Sequence, residues 1–231
     1  ETEQPFTLPF ANPKQLVISP GDSSSCPNCY VFVAMDTGGT EAIHFNPGNA
    51  NPFGAFGNLK VLNSAGGANT VAVDPTNRLL YIGESNALPS ATQTGGLRAF
   101  TIGVSGLTEI SGSPYAIGGT GPSAIQPTSD GNYVYVANES VRNSSTDNIQ
   151  GFSVTATLLT SIGNVAAGPS SGMIGLAEDS TGSYILATDF AGDPDLEAYT
   201  LSSGTLTSSL TGATGTGSVG AIAIVAAPAA Q

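Results

Sequence analysis

The chain has 231 residues, and 17 acidic residues against five lysines and arginines give it a formal net charge of −12. Surfaces that bind nucleic acid or anionic lipid need basic residues, so this balance argues against both partners and against phosphorylated substrates. No apolar run reaches the length of a membrane span.

The N-terminal segment 5–10 is predicted to be the outer strand of a repeat unit. Its motif Pro5-Phe6-Thr7-Leu8 matches Pro114-Tyr115-Ala116-Ile117, which lies 109 positions later. The first complete unit, 14–68, begins with the strand around Leu16-Val17-Ile18.

Two cysteines, Cys26 and Cys29, lie in the turn between the first two strands of this unit. A thioredoxin-like redox centre needs a strand-to-helix setting, which the pattern lacks. A zinc site needs two more soft ligands, and His44 is the other candidate. The pattern therefore favours a disulfide that staples a turn in an oxidising compartment.

The second unit, 69–122, shows the repeat most clearly. Its four short apolar runs are separated by turn residues and have no helical period. They are Val71–Val73, Leu79–Gly83, Leu97–Ile102 and a weaker run at Leu107–Ile110. This pattern predicts four antiparallel strands.

The third and fourth units span 123–172 and 173–220. The third contains two Asn-x-Ser sequons, at Asn138 and Asn143, which would be glycan acceptors in a eukaryotic secreted protein. The fourth ends in a Thr/Ser/Gly tract that is predicted to contain an exposed outer strand. The chain closes on a further predicted first strand, 221–225.

The four units align with one another. The second-strand motifs begin at Tyr30, Leu79, Tyr133 and Tyr184, so the spacings are 49, 54 and 51 residues. A period near 50 that holds four strands is typical of a β-propeller blade. We therefore predict one all-β domain, 1–231, with four four-stranded blades plus loose N- and C-terminal strands. A β-sandwich and a solenoid are the alternatives.

Several phrases resemble the lactonase-type β-propeller family and the related YVTN-repeat propellers. They are Ser105-Gly106-Leu107-Thr108, Gly112-Ser113-Pro114-Tyr115, Gly121-Pro122-Ser123-Ala124 and Tyr133-Val134-Tyr135-Val136-Ala137-Asn138. The resemblance implies a propeller of four-stranded blades, often secreted by bacteria and usually seven-bladed. It also implies sugar-lactone hydrolysis, although repeat motifs specify blades rather than active sites.

Eight carboxylates are predicted to share the face that carries the connections between units. They are Asp36, Glu41, Glu84, Glu139, Asp147, Asp189, Asp193 and Asp195. Asp189, Asp193 and Asp195 form the densest group, and converging oxygen ligands suit Ca²⁺. A purely solvated acidic loop is the alternative. The one histidine, His44, is interpreted as an ordinary strand residue.

Three functions remain open at this point. The main hypothesis is a secreted, extracellular structural protein without catalysis that assembles with copies of itself. Its termini would pair between subunits through the residues Phe6, Leu8, Phe10, Ile222 and Ile224. A sugar-lactone hydrolase is the second reading, and a cation- or carbohydrate-binding module is the third. Because residue 1 is Glu, the chain is interpreted as either a processed or a trimmed product.

Overall fold

The computed structural model of the chain is all-β, as predicted. It describes residues 7–20, 29–46, 52–53, 58–103, 106–139, 148–166, 172–190, 195–209, 215 and 223–225. In these residues we find no helix long and apolar enough to cross a membrane.

The first two blades are antiparallel sheets whose strands follow one another in chain order. Blade 1 contains β1 (Gln15–Ile18), β2 (Tyr30–Ala34), β3 (Thr40–His44) and β4 (Asn58–Leu62). Blade 2 contains β5 (Ala68–Val73), β6 (Leu79–Glu84), β7 (Gly96–Gly103) and β8 (Gly106–Glu109). A short fifth strand, β9 (Tyr115–Ala116), pairs with β7 at the end of this blade.

The last two blades repeat the same topology. Blade 3 contains β10 (Pro122–Pro127), β11 (Tyr133–Asn138), β12 (Asn148–Val154) and β13 (Leu159–Ala166). Blade 4 contains β14 (Met173–Glu178), β15 (Tyr184–Asp189), β16 (Leu196–Ser202) and β17 (Thr205–Ser208). The predicted strand in the Thr/Ser/Gly tract is therefore confirmed as β17.

The turn between the first and second strands has the same cause in three blades. Each turn contains an aspartate whose carboxylate accepts hydrogen bonds from the backbone that follows it, and this fixes the turn locally. Asp74 accepts from the Thr76 and Arg78 amides, both at 2.9 Å. Asp179 occupies the equivalent position in blade 4. In blade 3 that position is Thr128, and the carboxylate comes from Asp130, two residues later.

The core lies between blades, and we refer to each interface between adjacent blades as a seam. The first seam packs Tyr30 and Phe32 of blade 1 against Leu80, Ile82 and Phe100 of blade 2. Equivalent apolar clusters fill the seams between blades 2 and 3 and between blades 3 and 4. β6 lies in a seam on each of its faces, whereas β2 has a seam on one face and the N-terminal segment on the other, so both strands are buried at every position.

The N-terminal segment lies on the face of blade 1 that points away from blade 2. There Leu8 packs against Val31, Val33 and Ile43. Ile117 is 109 positions later and lies in the seam between blades 2 and 3. Leu8 thus covers blade 1 in the way that Ile117 covers blade 3.

The two predicted terminal strands need a correction. Their described parts, 7–10 and 223–225, are not in strands and pair with no strand that the structure describes. A strand is maintained by hydrogen bonds to a neighbour, and the neighbouring faces here offer side-chain packing instead. The other residues of these two segments, which include Phe6 and Ile222, lie outside the described part of the chain.

Candidate functional site

The connections between blades and the connections between second and third strands lie at the same end of the sheets. In blade 2, Ala68 pairs with Glu84, and Glu84 pairs with Gly96. First strands therefore begin where second strands end and third strands begin. We refer to this end as the upper rim.

Two positions of the upper rim carry polar side chains in almost every blade. The position in the third strand holds the residues Glu41, Arg98, Gln150 and Glu197. The position at the end of the second strand holds the residues Met35, Glu84, Asn138 and Asp189. Together the two positions hold an acid and a base in blade 2, two amides in blade 3 and two acids in blade 4.

In blade 2 the two positions form a buried ion pair. Arg98 Nε lies 2.7 Å from Glu84 Oε2, and Arg98 Nη1 lies 2.6 Å from Glu109 Oε1. Asn63 donates a further hydrogen bond to Glu84 Oε2, at 2.7 Å. Burial raises the pKa of Glu84, and its bonds to Arg98 and Asn63 oppose this rise only in part. Arg98 thus joins a buried carboxylate to a partly exposed one.

The other oxygen of this carboxylate points at the connection between blades 1 and 2. Glu84 Oε1 is buried and has no hydrogen-bond partner among the described residues. A Cβ placed on Gly66 would lie 2.6 Å from Oε1, so a larger residue there would have to displace the Glu84 carboxylate. The connection through Gly66 therefore covers the free side of the carboxylate.

Blade 4 gathers acidic groups in its seam with blade 3. Asp189, Asp195 and Glu197 are all at least nine-tenths buried, and the Tyr199 hydroxyl donates a hydrogen bond to Glu197. Burial, the bond to Glu197 and the nearby Asp189 charge all raise the pKa of Tyr199. This phenol is therefore a fixed hydrogen-bond donor across the neutral pH range.

The remaining polar position lies on the outward face of blade 1. Glu41 is only 1% exposed, and burial raises its pKa. Its Oε2 has no hydrogen-bond partner among the described residues. His44 faces the other side of the blade, with its ring 4.4 Å from the ring of Tyr30, and burial lowers its pKa. As predicted, His44 is a strand residue.

The predicted calcium ligands are only partly brought together. The Asp189 amide donates to the Asp195 carbonyl at 2.9 Å, so these two residues are neighbours. Asp193 lies outside the described residues. Among the residues that the structure describes, no three His, Cys, Asp or Glu side chains are grouped so as to hold a metal. Calcium at this position stays a prediction.

The other predicted rim carboxylates have separate surroundings. Asp36 lies 3.7 Å from Lys14 and accepts a hydrogen bond from Asn12. Glu139 is half-buried beside the connection into blade 3, and Asp147 lies outside the described residues. The described carboxylates are thus mostly buried instead of forming an open acidic face.

One predicted glycan acceptor is contradicted. Asn138 is the last residue of β11 and is fully buried, and its side-chain oxygen accepts a bond from the Gly121 amide at 3.1 Å. Glycans need an exposed amide, so this sequon is not an acceptor in the folded chain. Asn143 lies outside the described residues, as does Cys26. Cys29 is buried, and its pairing with Cys26 stays a prediction.

A cleft of about 390 Å³ opens at the opposite end of the seam between blades 3 and 4. Its acidic residues already have structural hydrogen bonds. Asp130 accepts from Thr128 and Asn132, and Glu178 accepts from the Ser129 amide at 2.6 Å. These groups fix turns and leave the cleft without a convergent set of free polar groups.

The sequence pattern of the third strands marks the rim position, which the overall composition does not reveal. Every third strand reads polar, small, bulky, as in Arg98-Ala99-Phe100 and Glu197-Ala198-Tyr199. The small residue allows the blades to pack closely. The polar residue that precedes it occupies the rim position. The partners of that residue, Glu109 and Tyr199, were not predicted as site residues, because strand register decides them.

No family model matches the chain, and no curated protein matches it. Solved structures do. A putative 6-phosphogluconolactonase from Bacteroides uniformis superposes with a TM-score of 0.62 and 19% identity, over 78% of this chain and 50% of that one. A second putative 6-phosphogluconolactonase, from Bacteroides fragilis, gives 0.56 and 20% over the same shares.

The periplasmic gluconolactonase PpgL of Pseudomonas aeruginosa gives a TM-score of 0.57 and 15% identity, over 78% of this chain and 52% of that one. The chain thus spans about half the length of these structures. Identities this low show the fold alone. Over the matched part, the four blades have the fold of lactonase-type β-propellers.

Proposed function

We propose that this chain is a lactone hydrolase of the propeller type. The observation that carries the proposal is the match of its four-blade arc to structures described as lactonases, at a TM-score of up to 0.62. The proposal favours this reading over a purely structural protein. Fold alone does not specify a reaction, so the residues and the substrate class below are also proposals.

Glu84 and Arg98 are the residues that we propose for the chemistry. Among the described residues of the upper rim, they place a buried carboxylate of raised pKa directly beside a guanidinium. Glu84 would take a proton from water as the water oxygen bonds to the lactone carbonyl carbon. Arg98 Nε and Nη1 already bond to carboxylates, so a remaining N–H of its Nη2 would stabilise the resulting oxyanion. Breakage of the ring C–O bond returns the proton to the ring oxygen and yields the hydroxy acid.

The geometry imposes a condition on this mechanism. Glu84 has no exposed surface, and the Gly66 backbone covers its free oxygen. Water can reach Oε1 only if the connection around Gly66 is displaced. Substrate binding would have to supply that displacement.

An unphosphorylated sugar lactone is the substrate class that we propose. Phosphate recognition uses arginines or lysines that are free to bind oxygen in pairs. In the described rim, Arg98 already contacts two carboxylates and Lys14 lies beside Asp36. The net charge of −12 would also repel a phosphorylated substrate.

The test is lactone hydrolysis by the full chain, followed as acid release at constant pH. We expect release above the buffer rate with an aldonolactone and much less with its 6-phosphate ester. Glu84→Gln should abolish the excess rate, whereas Glu109→Gln, which alters the partly exposed partner of Arg98, should retain it. A chelator and added Ca²⁺ form two further arms, which test the predicted site at Asp189 and Asp195. A wild-type rate equal to the buffer rate would refute the proposal.

Self-assembly outside the cell is the second candidate function, and it does not exclude hydrolysis. The observation that favours it is the exposed apolar surface on the outermost faces of blades 1 and 4, where Leu16 is 56% and Tyr184 is 42% exposed. The predicted secreted location belongs to the same hypothesis. One matched structure is described as periplasmic, which is a statement about that protein.

A further inference from the structure

The inner strands of the four blades differ at one equivalent position. Leu16, Val71, Ile125 and Leu176 stand opposite equivalent residues of their second strands. Val71, Ile125 and Leu176 are 1%, 9% and 8% exposed, because the inner strand of the preceding blade covers them. Leu16 is 56% exposed. Ile18, on the same face of β1, is 52% exposed.

Blade 4 presents the complementary half of a seam. Tyr30 and Tyr133 begin the second strands of blades 1 and 3, and each reaches a glycine hairpin of the next blade. The Tyr30 hydroxyl donates to the Gly103 carbonyl at 2.9 Å, and the Tyr133 ring packs directly on Gly204. Tyr184 holds this position in blade 4 and is 42% exposed.

The segment 223–225 lies beside this face near the centre of the arc. A Cβ on Gly175 of β14 would lie 3.3 Å from the Ile224 side chain, so Ile224 packs on the outward side of blade 4. The next residue, Val225, is 88% exposed. Both residues line a cleft together with inner-strand residues of blades 2, 3 and 4, so the segment lies at the level where inner strands pack on each other.

We propose that the outward face of blade 4 docks on the outward face of blade 1 in a second copy of this chain, head to tail. The two faces hold the two halves of a seam that the molecule already forms three times, with matching register. Leu16, Ile18 and Tyr184 are uncharged, and Lys14, which lines the same cleft as Leu16, is paired with Asp36. Leu16 and Ile18 of one copy would pack near Val225 and blade 4 of the other. This inference rests on the second candidate function, self-assembly, and does not depend on lactone hydrolysis.

The contact is heterologous, since two different surfaces meet. Such contacts either close into a ring or continue into a filament, depending on the rotation that relates one copy to the next. The immediate consequence is the same in both cases. The full chain should form species larger than one copy, and blocking either face should prevent this.

Sedimentation velocity of the full chain over a dilution series tests the proposal. We expect the wild type to exceed the single-chain mass of 23.0 kDa, whereas Leu16→Glu and Tyr184→Glu each sediment as monomers with unchanged circular dichroism. Leu158→Glu is the matched control. Leu158 is 45% exposed but lies at the β12–β13 turn, so this variant should assemble like the wild type.

Mixing the two blocked variants gives the sharpest result. Each retains one intact face, so an equimolar mixture of Leu16→Glu and Tyr184→Glu should form one-to-one dimers and nothing larger. A wild type that stays at the single-chain mass would overturn the proposal, because these faces would then not bind a second copy. Monomers in the mixture, or disruption by Leu158→Glu, would overturn it as well.

Discussion

At the scale of single residues, glycine is needed where one blade approaches the next. Gly204 turns the β16–β17 hairpin at a φ of +83°, and the Tyr133 ring lies directly over it. The Tyr135 hydroxyl donates to its carbonyl at 2.8 Å. Gly106, the first residue of β8 in blade 2, has a φ of +125° and no neighbour within 4 Å of an added Cβ.

This pair of glycines separates backbone strain from crowding. Gly204→Ala should destabilise the chain by about 2–4 kcal/mol, because the methyl group adds overlap with Tyr133 to the strain of positive φ. Gly106→Ala should carry the strain alone and cost about 1 kcal/mol. Urea denaturation measures both values. Equal losses in the two variants would show that Tyr133 does not press on Gly204.

Glu41 should make stability depend on pH. Its pKa is raised above the ordinary 4.5, so the folded state binds the proton more tightly than the unfolded state does. Stability then falls as pH rises from about 4.5 through the raised pKa. Glu41→Gln should remove this fall and be more stable than the wild type by about 1 kcal/mol at neutral pH.

Denaturation of both forms over a pH series checks this prediction. The two curves should meet below the ordinary carboxyl pKa, where Glu41 is protonated in both states. Curves that stay parallel across the series would show that the carboxyl does not titrate between them.

At the scale of elements, one guanidinium links three strands of blade 2 at the upper rim. Arg98 links the end of β6 to β8 through Glu84 and Glu109. The side chain of Glu84 is 1% exposed and that of Glu109 is 36% exposed. Loss of a partner therefore matters far more for Glu84, since a buried charge without its partner is costly.

Arg98→Ala should destabilise the chain by about 3–5 kcal/mol at neutral pH. The loss should shrink at lower pH, because protonation removes the unpaired charge of Glu84. Glu109→Gln should cost under about 1 kcal/mol, as an exposed partner is well solvated. The double variant Arg98→Ala/Glu84→Gln, measured in the same way, should recover much of the stability that Arg98→Ala alone loses. A double variant as unstable as Arg98→Ala would assign the effect to packing instead.

At the scale of the whole molecule, the sequence predicts four blades because seams impose a pattern on every second strand. Each of those strands packs in at least one seam, so they appear as apolar runs at a regular period. Side-chain surroundings at the rim could not be predicted in the same way. Asn138 sits in a sequon and suggests a loop, yet β11 extends to include it. Likewise, the spacing of Arg98 and Glu109 reveals their contact only once β7 and β8 are in register.

The proposed activity rests on the buried carboxylate beside a guanidinium at the upper rim, and a pH–rate profile tests it most directly. Burial raises the pKa of Glu84 above the ordinary 4.5, and a general base works only when deprotonated. The rate of aldonolactone hydrolysis, corrected for buffer, should therefore rise with pH through that raised pKa and then level off. Glu84→Gln should show no such rise. A wild type without activity above buffer, or a Glu84→Gln variant that keeps the full profile, would contradict the account.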